Sequence, residues 1–407
     1  MSYFDDLETR SVDERERALK LDLPNQVARA QATTGGMAQL AGVDADLIST
    51  RDELATLPVL RKSVLVAAQE LDPPFGGFSS LPVSHYTNVY QSPGPIYEPG
   101  MDSPDWWRLG RFLHASGIGR GDVVQNCFSY HLTPAGMMFE SAARAVSAAV
   151  LPAGVGQTEL QVQAAARIGI TAYAGTPDYL KVILEAADAS GHDLSRIGKA
   201  TVGGGALFPS LRDYYTDRGI TCRQCYATAD LGNIAYESDA LDGMIIDEGV
   251  IVEIVRPGTG DPVPDGEVGE VIVTTLNADY PLVRFATGDL SAFMPGISPC
   301  GRTNRRIKGW MGRADQTTKI KGMFVRPEQV ASLIKACPDV SKVRVTVTRE
   351  NEQDAMSVQF EGPDQDLGTL QNAVKAHLKL LAEVSLCAPG SLPNDGKVID
   401  DQRHYDS

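Results

Sequence analysis

The sequence predicts an α/β protein of two domains. The first is a large N-terminal domain with doubly wound mixed sheets and a β subdomain; the second is a small C-terminal α+β domain. Three observations carry this reading. Between residues 122 and 226, short apolar or β-branched runs alternate with segments of helical spacing, the pattern of a parallel sheet covered by helices on both faces. From Gly249 the strand-like runs lose their helices and are separated by Gly-Asp-Pro and Pro-Asp-Gly turns. Beyond Asp315 the order becomes strand, helix, strand, strand, helix, strand, a split βαβ arrangement.

Taken in order, residues 1 to about 70 read as helical. Thr50 with Glu53 three residues on has the form of a capping box. Residues 71–105 are rich in Pro and Gly and read as irregular loop with short strands. Strands are expected at 122–128, 146–152, 171–175, 200–204 and 221–226, and helices at 134–144, 158–168, 177–189 and 209–217. Ligands of such sheets bind beyond the carboxyl ends of the strands, which singles out the loops 129–133, 203–208 and 227–232. Strands at 250–255 and 269–275 form the β unit. In the C-terminal part, helices are expected at 327–336 and 367–381, and strands at 342–348, 356–360 and 383–387. The boundary falls near Gly312-Arg-Ala-Asp315, giving domains 1–314 and 315–407.

Composition narrows the function. The 407 residues are 43% hydrophobic and 22% charged, which excludes disorder, collagen and coiled coil as the main architecture. The net charge of −15 argues against nucleic acid or an anionic membrane as partner, while leaving room for a small anionic ligand held by local cations. Six scattered cysteines do not form a disulfide framework. The acidic start has neither the basic head nor the apolar centre of a signal peptide. No run of about 18 uninterrupted apolar residues exists. The expectation is a cytoplasmic protein with no membrane insertion.

The segment Tyr280-Pro-Leu-Val-Arg-Phe-Ala-Thr-Gly-Asp-Leu290 places a carboxylate, Asp289, after Thr-Gly at a strand end, suited to accept bonds from two ribose hydroxyls. Its companions are Cys300-Gly-Arg-Thr-Asn-Arg-Arg-Ile, Gly309-Trp-Met-Gly-Arg-Ala-Asp315, Thr318-Lys-Ile-Lys-Gly322, Tyr226-Ala-Thr-Ala-Asp230 and Gly396-Lys397. In this order and spacing the set resembles the adenylate-forming enzymes, and more narrowly the phenylacetate–coenzyme A ligase family. The resemblance runs from the Tyr3-Phe4-Asp5 start to Lys397 and is most specific between Tyr280 and Glu328.

The resemblance implies an ATP-dependent carboxylic acid–CoA ligase, for an aryl acid such as phenylacetate, with ATP, Mg²⁺ and coenzyme A as cofactors and cosubstrates. It also implies a homodimer. Carried over by position, Asp289 serves the ribose and Arg313 helps hold the nucleotide. Tyr226 stacks on adenine, with Thr228, Gly204 and Ser92 also at the nucleotide. Asp230 stands where the family has a glutamate serving Mg²⁺ through the nucleotide, and Lys397 where a lysine stabilises charge on the acyl-phosphate transition state. Asp315 is the hinge, Gly322 the glycine of the thiol tunnel, and Tyr130 and His131 line the acyl pocket.

The chain also departs from the family. Where a Ser/Thr/Gly-rich phosphate loop with a lysine is usual, residues 90–100 read Tyr-Gln-Ser-Pro-Gly-Pro-Ile-Tyr-Glu-Pro-Gly. Three prolines remove N–H donors there, and Glu98 would face a polyanion. Ala229 replaces a hydroxyl residue, and Gly205 replaces an acid. Some relatives hold zinc with three cysteines and a histidine; the matching positions here are Ser238, Ile245, Ser298 and Cys300, so no zinc site is expected. Cys222-Arg-Gln-Cys225 has metal or redox spacing, but lies on one expected strand without a second pair. These departures keep a second reading open: a nucleotide- or acyl-CoA-binding protein of the same fold with weak or lost adenylation. A dinucleotide oxidoreductase is disfavoured, because no G-x-G-x-x-G follows a strand.

Overall fold

The computed structural model describes residues 3–403 apart from 206, 315, 317, 321, 322, 351, 352, 394 and 396. The expected hinge Asp315 and tunnel glycine Gly322 therefore lie outside the described residues. The chain divides into two compact units. The first takes the residues up to Val252 together with Val273–Phe285 and Met294–Gly309; the second takes Glu253–Ile272, Ala286–Phe293 and the residues from Trp310 onward.

The first unit opens with helices Val12–Gln31, Thr34–Gln39, Arg51–Ala55 and Lys62–Leu71. Thr50 and Glu53 form the expected reciprocal cap: Glu53 N donates to Thr50 Oγ1 at 3.3 Å, and Thr50 N to Glu53 Oε2 at 2.9 Å. The segment expected as irregular loop with short strands holds a hairpin, Asn88–Ser92 against Ile96–Gly100. Pro99, which has no N–H to give a ladder, is tolerated in a two-stranded ribbon, where it stands opposite Val89.

Among the described residues, eight strands of the main sheet lie in the first unit. Ala149–Pro152, Val123–Asn126, Ala172–Gly175, Lys199–Val202 and Thr221–Thr228 lie side by side and parallel. Beyond Thr221–Thr228 the neighbours turn antiparallel, through Gly232–Tyr236, Met244–Ile246 and Arg306–Ile307. Alternation along each strand feeds two separate cores. Ala172 and Ala174 pack on one face, with Phe112, Phe139 and Tyr236, while Tyr173 packs on the other, with Ile183 and Tyr215.

The helices end where sequence chemistry ends them. Pro177 and Pro209 stand in the first turns of Pro177–Ser190 and Pro209–Asp217, and Gly169 and Gly191 close helices in the left-handed conformation. Pro177–Ser190 buries Leu180, Ile183, Leu184 and Ala187, a single stripe at helical spacing.

Val250–Val255, Gly269–Thr275 and Phe285–Ser291 are neighbouring strands of a smaller sheet. Asp289, expected at a strand end, lies inside Phe285–Ser291. The second unit continues with a sheet in the order Glu383–Cys387, Gln353–Glu361, Lys342–Glu350, Ile399–Asp401, packed with helices Pro327–Ala336 and Leu367–Leu378. The last helix stops three residues before its expected end, because Lys379 adopts φ +60°. Ile399–Asp401, a strand the sequence did not announce, pairs parallel with Lys342–Glu350.

A buried ion cluster fastens the amino-terminal arm within the first unit. Glu8 is 1% exposed and accepts from Arg302 Nε, from Tyr236 Oη at 2.8 Å and from Phe4 N at 2.5 Å. The Arg302 guanidinium lies over the rings of Tyr3 (5.4 Å) and Tyr236 (6.0 Å). Removing one partner of such a pair leaves a buried charge uncompensated. Glu8→Ala should therefore cost about 3–5 kcal/mol, read as a fall in the urea midpoint. An unchanged midpoint would mean that Arg302 finds its compensation elsewhere.

Candidate active site

In the first unit, residues singled out for a nucleotide gather at the carboxyl ends of the parallel strands. Gly204 follows Lys199–Val202 with φ +69°, a conformation that suits glycine. Tyr226 is buried near the end of Thr221–Thr228, beside a register shift between Tyr226 and Ala227. Thr228 Oγ1 accepts from Leu231 N at 3.2 Å and so closes the turn that carries Asp230.

Asp230 is 6% exposed, and its Oδ2 accepts from Lys62 Nζ at 3.1 Å. Its Oδ1 is buried and has no hydrogen-bond partner among the described residues. Glu98 is 1% exposed and stands opposite Tyr90 in the hairpin, so it is enclosed rather than presented to a ligand on an open loop. Burial, and then the negative charge of Asp230, push its carboxyl up to about 8, against the opposing pull of Ser92 and Lys62. Ser92 ends the first hairpin strand. Lys62 and Glu98 are the members of this cluster that sequence reasoning missed or misplaced. A lone lysine at the start of a helix carries no spacing signal, and Glu98 was read as facing a polyanion because residues 90–100 stand at the phosphate-loop position.

At the end of Val123–Asn126, Tyr130 Oη accepts from Asn126 Nδ2 at 2.8 Å, and Asn126 Nδ2 also reaches Gly136 O at 2.8 Å. Burial drives the Tyr130 phenol well above its usual range. Phe128 and Phe139 stack at 4.3 Å just behind. His131 is exposed. The loop thus offers an aromatic floor with one fixed hydroxyl and a solvent-facing imidazole.

Cys222 and Cys225 do not meet. Three residues apart on one strand, they point to opposite faces, Cys222 into one core and Cys225 into the other. Burial pushes both thiols up to about 12. Of the four positions matched to a zinc site, Ser298 Oγ lies 3.1 Å from Cys300 Sγ, and Ile245 packs in the same apolar cluster as Cys300. Burial raises the Cys300 thiol, but hydrogen bonds with Ser238, Ser298 and Arg302 outweigh it and hold it below the ordinary value.

In the second unit the structure joins residues that are far apart in sequence. Asp289 Oδ1 accepts from Arg313 Nη1 at 2.8 Å and from Trp310 Nε1 at 3.1 Å. The two segments also pair through their backbones: Leu290 N donates to Gly312 O at 2.9 Å, and Ala314 N to Gly288 O at 2.7 Å. Gly288 adopts φ +74°, a conformation that suits glycine. Arg313 and Lys397 line one cavity of 320 Å³, together with Gln316, Asp400 and Asp401. Lys397 Nζ donates to Asp400 Oδ1 at 2.9 Å. Its segment is clamped by Arg344, which donates to Asp395 at 2.8 and 2.9 Å and to Asp400 Oδ2 at 2.8 Å. Gln316 Oε1 accepts from the N–H groups of Val398 (2.6 Å) and Ile399 (2.7 Å). Arg344 and Gln316 were invisible in the sequence, because their role is to hold Lys397 rather than to carry a motif.

No family model matches the chain. It is 28% identical over 368 residues to the phenylacetate–coenzyme A ligase of Aromatoleum evansii, spanning 83% of each chain. It is 28% identical over 380 residues to the enzyme of the same name from Escherichia coli K12, spanning 85% of each. An open conformation of 2-hydroxyisobutyryl-CoA ligase, solved with 2-HIB-AMP and CoA, matches with a TM-score of 0.72 at 22% identity, covering 95% of this chain and 90% of that one. The resemblance read from the motifs thus extends over most of the chain, and the fold is that of the CoA ligase.

The Glu98 carboxyl supplies a test of this geometry. Between about pH 4.5 and 8 the folded protein holds a proton that the unfolded chain has lost, so the stability owed to this group falls as pH rises through the window. Glu98→Gln has no such proton. Its stability relative to the parent should therefore improve from about pH 5 to about pH 8, by up to a few kcal/mol in urea unfolding. A difference that stays constant over that range would show that Glu98 is not held protonated.

Proposed function

We propose that this chain, a relative of the phenylacetate–coenzyme A ligases, is an ATP-dependent carboxylic acid–CoA ligase acting on an aryl acid such as phenylacetate. The observation that carries the reading is the arrangement in the second unit, where the Asp289–Arg313 pair leads into a cavity that Arg313 shares with Lys397. A carboxylate is a poor electrophile. Its oxygen therefore attacks the α-phosphate of ATP, the bond to pyrophosphate breaks, and an acyl-adenylate forms. The thiol of coenzyme A then attacks the acyl carbonyl, the bond to AMP breaks, and a thioester remains.

In this reading Asp289 receives the ribose hydroxyls, and Arg313 and Lys397 offset charge around the α-phosphate. Tyr226 covers the adenine, and Thr228, Gly204 and Ser92 line the nucleotide. Asp230 fits Mg²⁺, since it offers a hard oxygen, Oδ1, that no described residue engages; the ion, when bound, spreads the charge of the phosphates. Lys62, already fixed on Asp230, stands in for the lysine that residues 90–100 lack. Tyr130 and His131 face the acyl group. We further propose that residues 315–407 are the mobile domain and 1–314 the larger domain, with Asp315 as hinge and Gly322 at the thiol tunnel. Among the described residues no helix is long and apolar enough to cross a membrane, in keeping with a cytoplasmic enzyme, and we propose a homodimer.

The test is pyrophosphate release with ATP, Mg²⁺ and a panel of aryl and short-chain acids, with and without coenzyme A. Acid-dependent release, greatest with an aryl acid, is expected. No release with any acid of the panel, while ATP still binds, would reduce the protein to a binding module of the same fold. Lys397→Ala should lower adenylation by a factor on the order of 10²–10³ and leave thioester formation from supplied acyl-adenylate nearly intact. Equal loss of both half-reactions would remove that role. Asp289→Ala should weaken ATP binding in a folded protein; unchanged affinity would take Asp289 out of the site.

A further inference from the structure

We propose a second ligand site in the first unit, at the amino ends of the parallel strands, that takes a small phosphate-bearing anion. A cavity of 370 Å³ opens there, lined by His114, Lys199, Arg223, Asp239 and Arg302, with the Ser116 and Thr221 residues between them. Its volume lies in the range of small-molecule sites.

The place separates it from the nucleotide. Lys199 opens the strand Lys199–Val202, and Arg223 stands near the start of Thr221–Thr228. Gly204 and Thr228 lie at the opposite ends of these strands. Five residues of extended chain, at about 3.3 Å each, put roughly 16 Å between Arg223 and Thr228.

The lining has three permanent cations and one carboxylate, in a chain whose net charge is −15. Such a local excess is held in place by acids behind it. Asp122 fixes Lys199 Nζ at 2.8 and 3.0 Å, and Glu8 fixes Arg302 through Nε. Neither Asp122 nor Glu8 is part of the lining. Both guanidinium groups keep an unused donor: Arg302 Nη2 and Arg223 Nε are buried and have no hydrogen-bond partner among the described residues. Arg302 is itself 3% exposed, so this N–H is poorly served by water as well. Two guanidinium residues and a lysine lining one cavity suit the tetrahedral oxygens of a phosphate dianion. Asp239, about half exposed, binds Arg223 Nη2 at 2.5 Å and competes with the ligand for it.

The two charge changes make opposite predictions. The probe is inorganic phosphate, titrated calorimetrically into the full chain at constant ionic strength, with acetate as the control for plain screening. The parent should bind phosphate and not acetate. Arg223→Gln should weaken binding at least about tenfold, the loss of one charge-assisted contact, and Asp239→Asn should tighten it severalfold. Both variants leave the Glu8–Arg302 cluster untouched, and unfolding without phosphate checks that they are folded. Absence of phosphate binding by the parent overturns the proposal. So does an affinity unchanged in both variants, which would put the phosphate elsewhere.

Discussion

The strand Thr221–Thr228 imposes the constraint on which the first unit depends. It runs parallel to Lys199–Val202 on one side and antiparallel to Gly232–Tyr236 on the other. A parallel neighbour can be reached only by a long crossover, whereas an antiparallel one follows from a tight turn. The chain must therefore reverse directly after Thr228, and the reversal sets Asp230 in the turn between the two strands. Gly232 is the cost of that reversal: it sits at φ +73°, and a Cβ there would come within 2.7 Å of Trp107 O. One change of strand direction thus decides where an aromatic, a hydroxyl and a carboxylate fall relative to one another.

The same corner shows how a departure in sequence is absorbed in three dimensions. Residues 90–100 have prolines where donors are expected, and they bring an extra acid. The hairpin encloses that acid, and burial beside Asp230, which Lys62 pairs, pushes its carboxyl up to about 8. Two carboxylates in one enclosure cannot both ionise cheaply, and the chain resolves the conflict with one proton and one lysine.

Much of the fold was legible because local chemistry and tertiary demand agreed. Helices 158–168 and 209–217 were bounded correctly at both ends, where left-handed glycine in the first and proline in the second leave little choice. The strands 250–255, 269–275 and 383–387 were likewise read to the residue. Gly232–Tyr236, Met244–Ile246 and Ile399–Asp401 were not; these short strands owe their state to a neighbour in the sheet. Asp289 and Arg313 were found through motif order, and the structure joins them. Lys62, Arg344 and Gln316 act across 82 to 168 residues of sequence or through paired acids, and no local pattern encodes such reach.

The Glu8–Arg302 cluster bears on how the chain is born. Its partners are separated by 294 residues. At a ribosome, Glu8 emerges well before Arg302, and its carboxylate must wait for the residues between them to be made before it can meet the guanidinium. Domains tend to fold as they are synthesised, N-terminal parts first. Here Glu8 locks only when a partner 294 residues later has emerged, so the first unit closes on a latch that the nascent chain carries unfastened while the intervening strands are made.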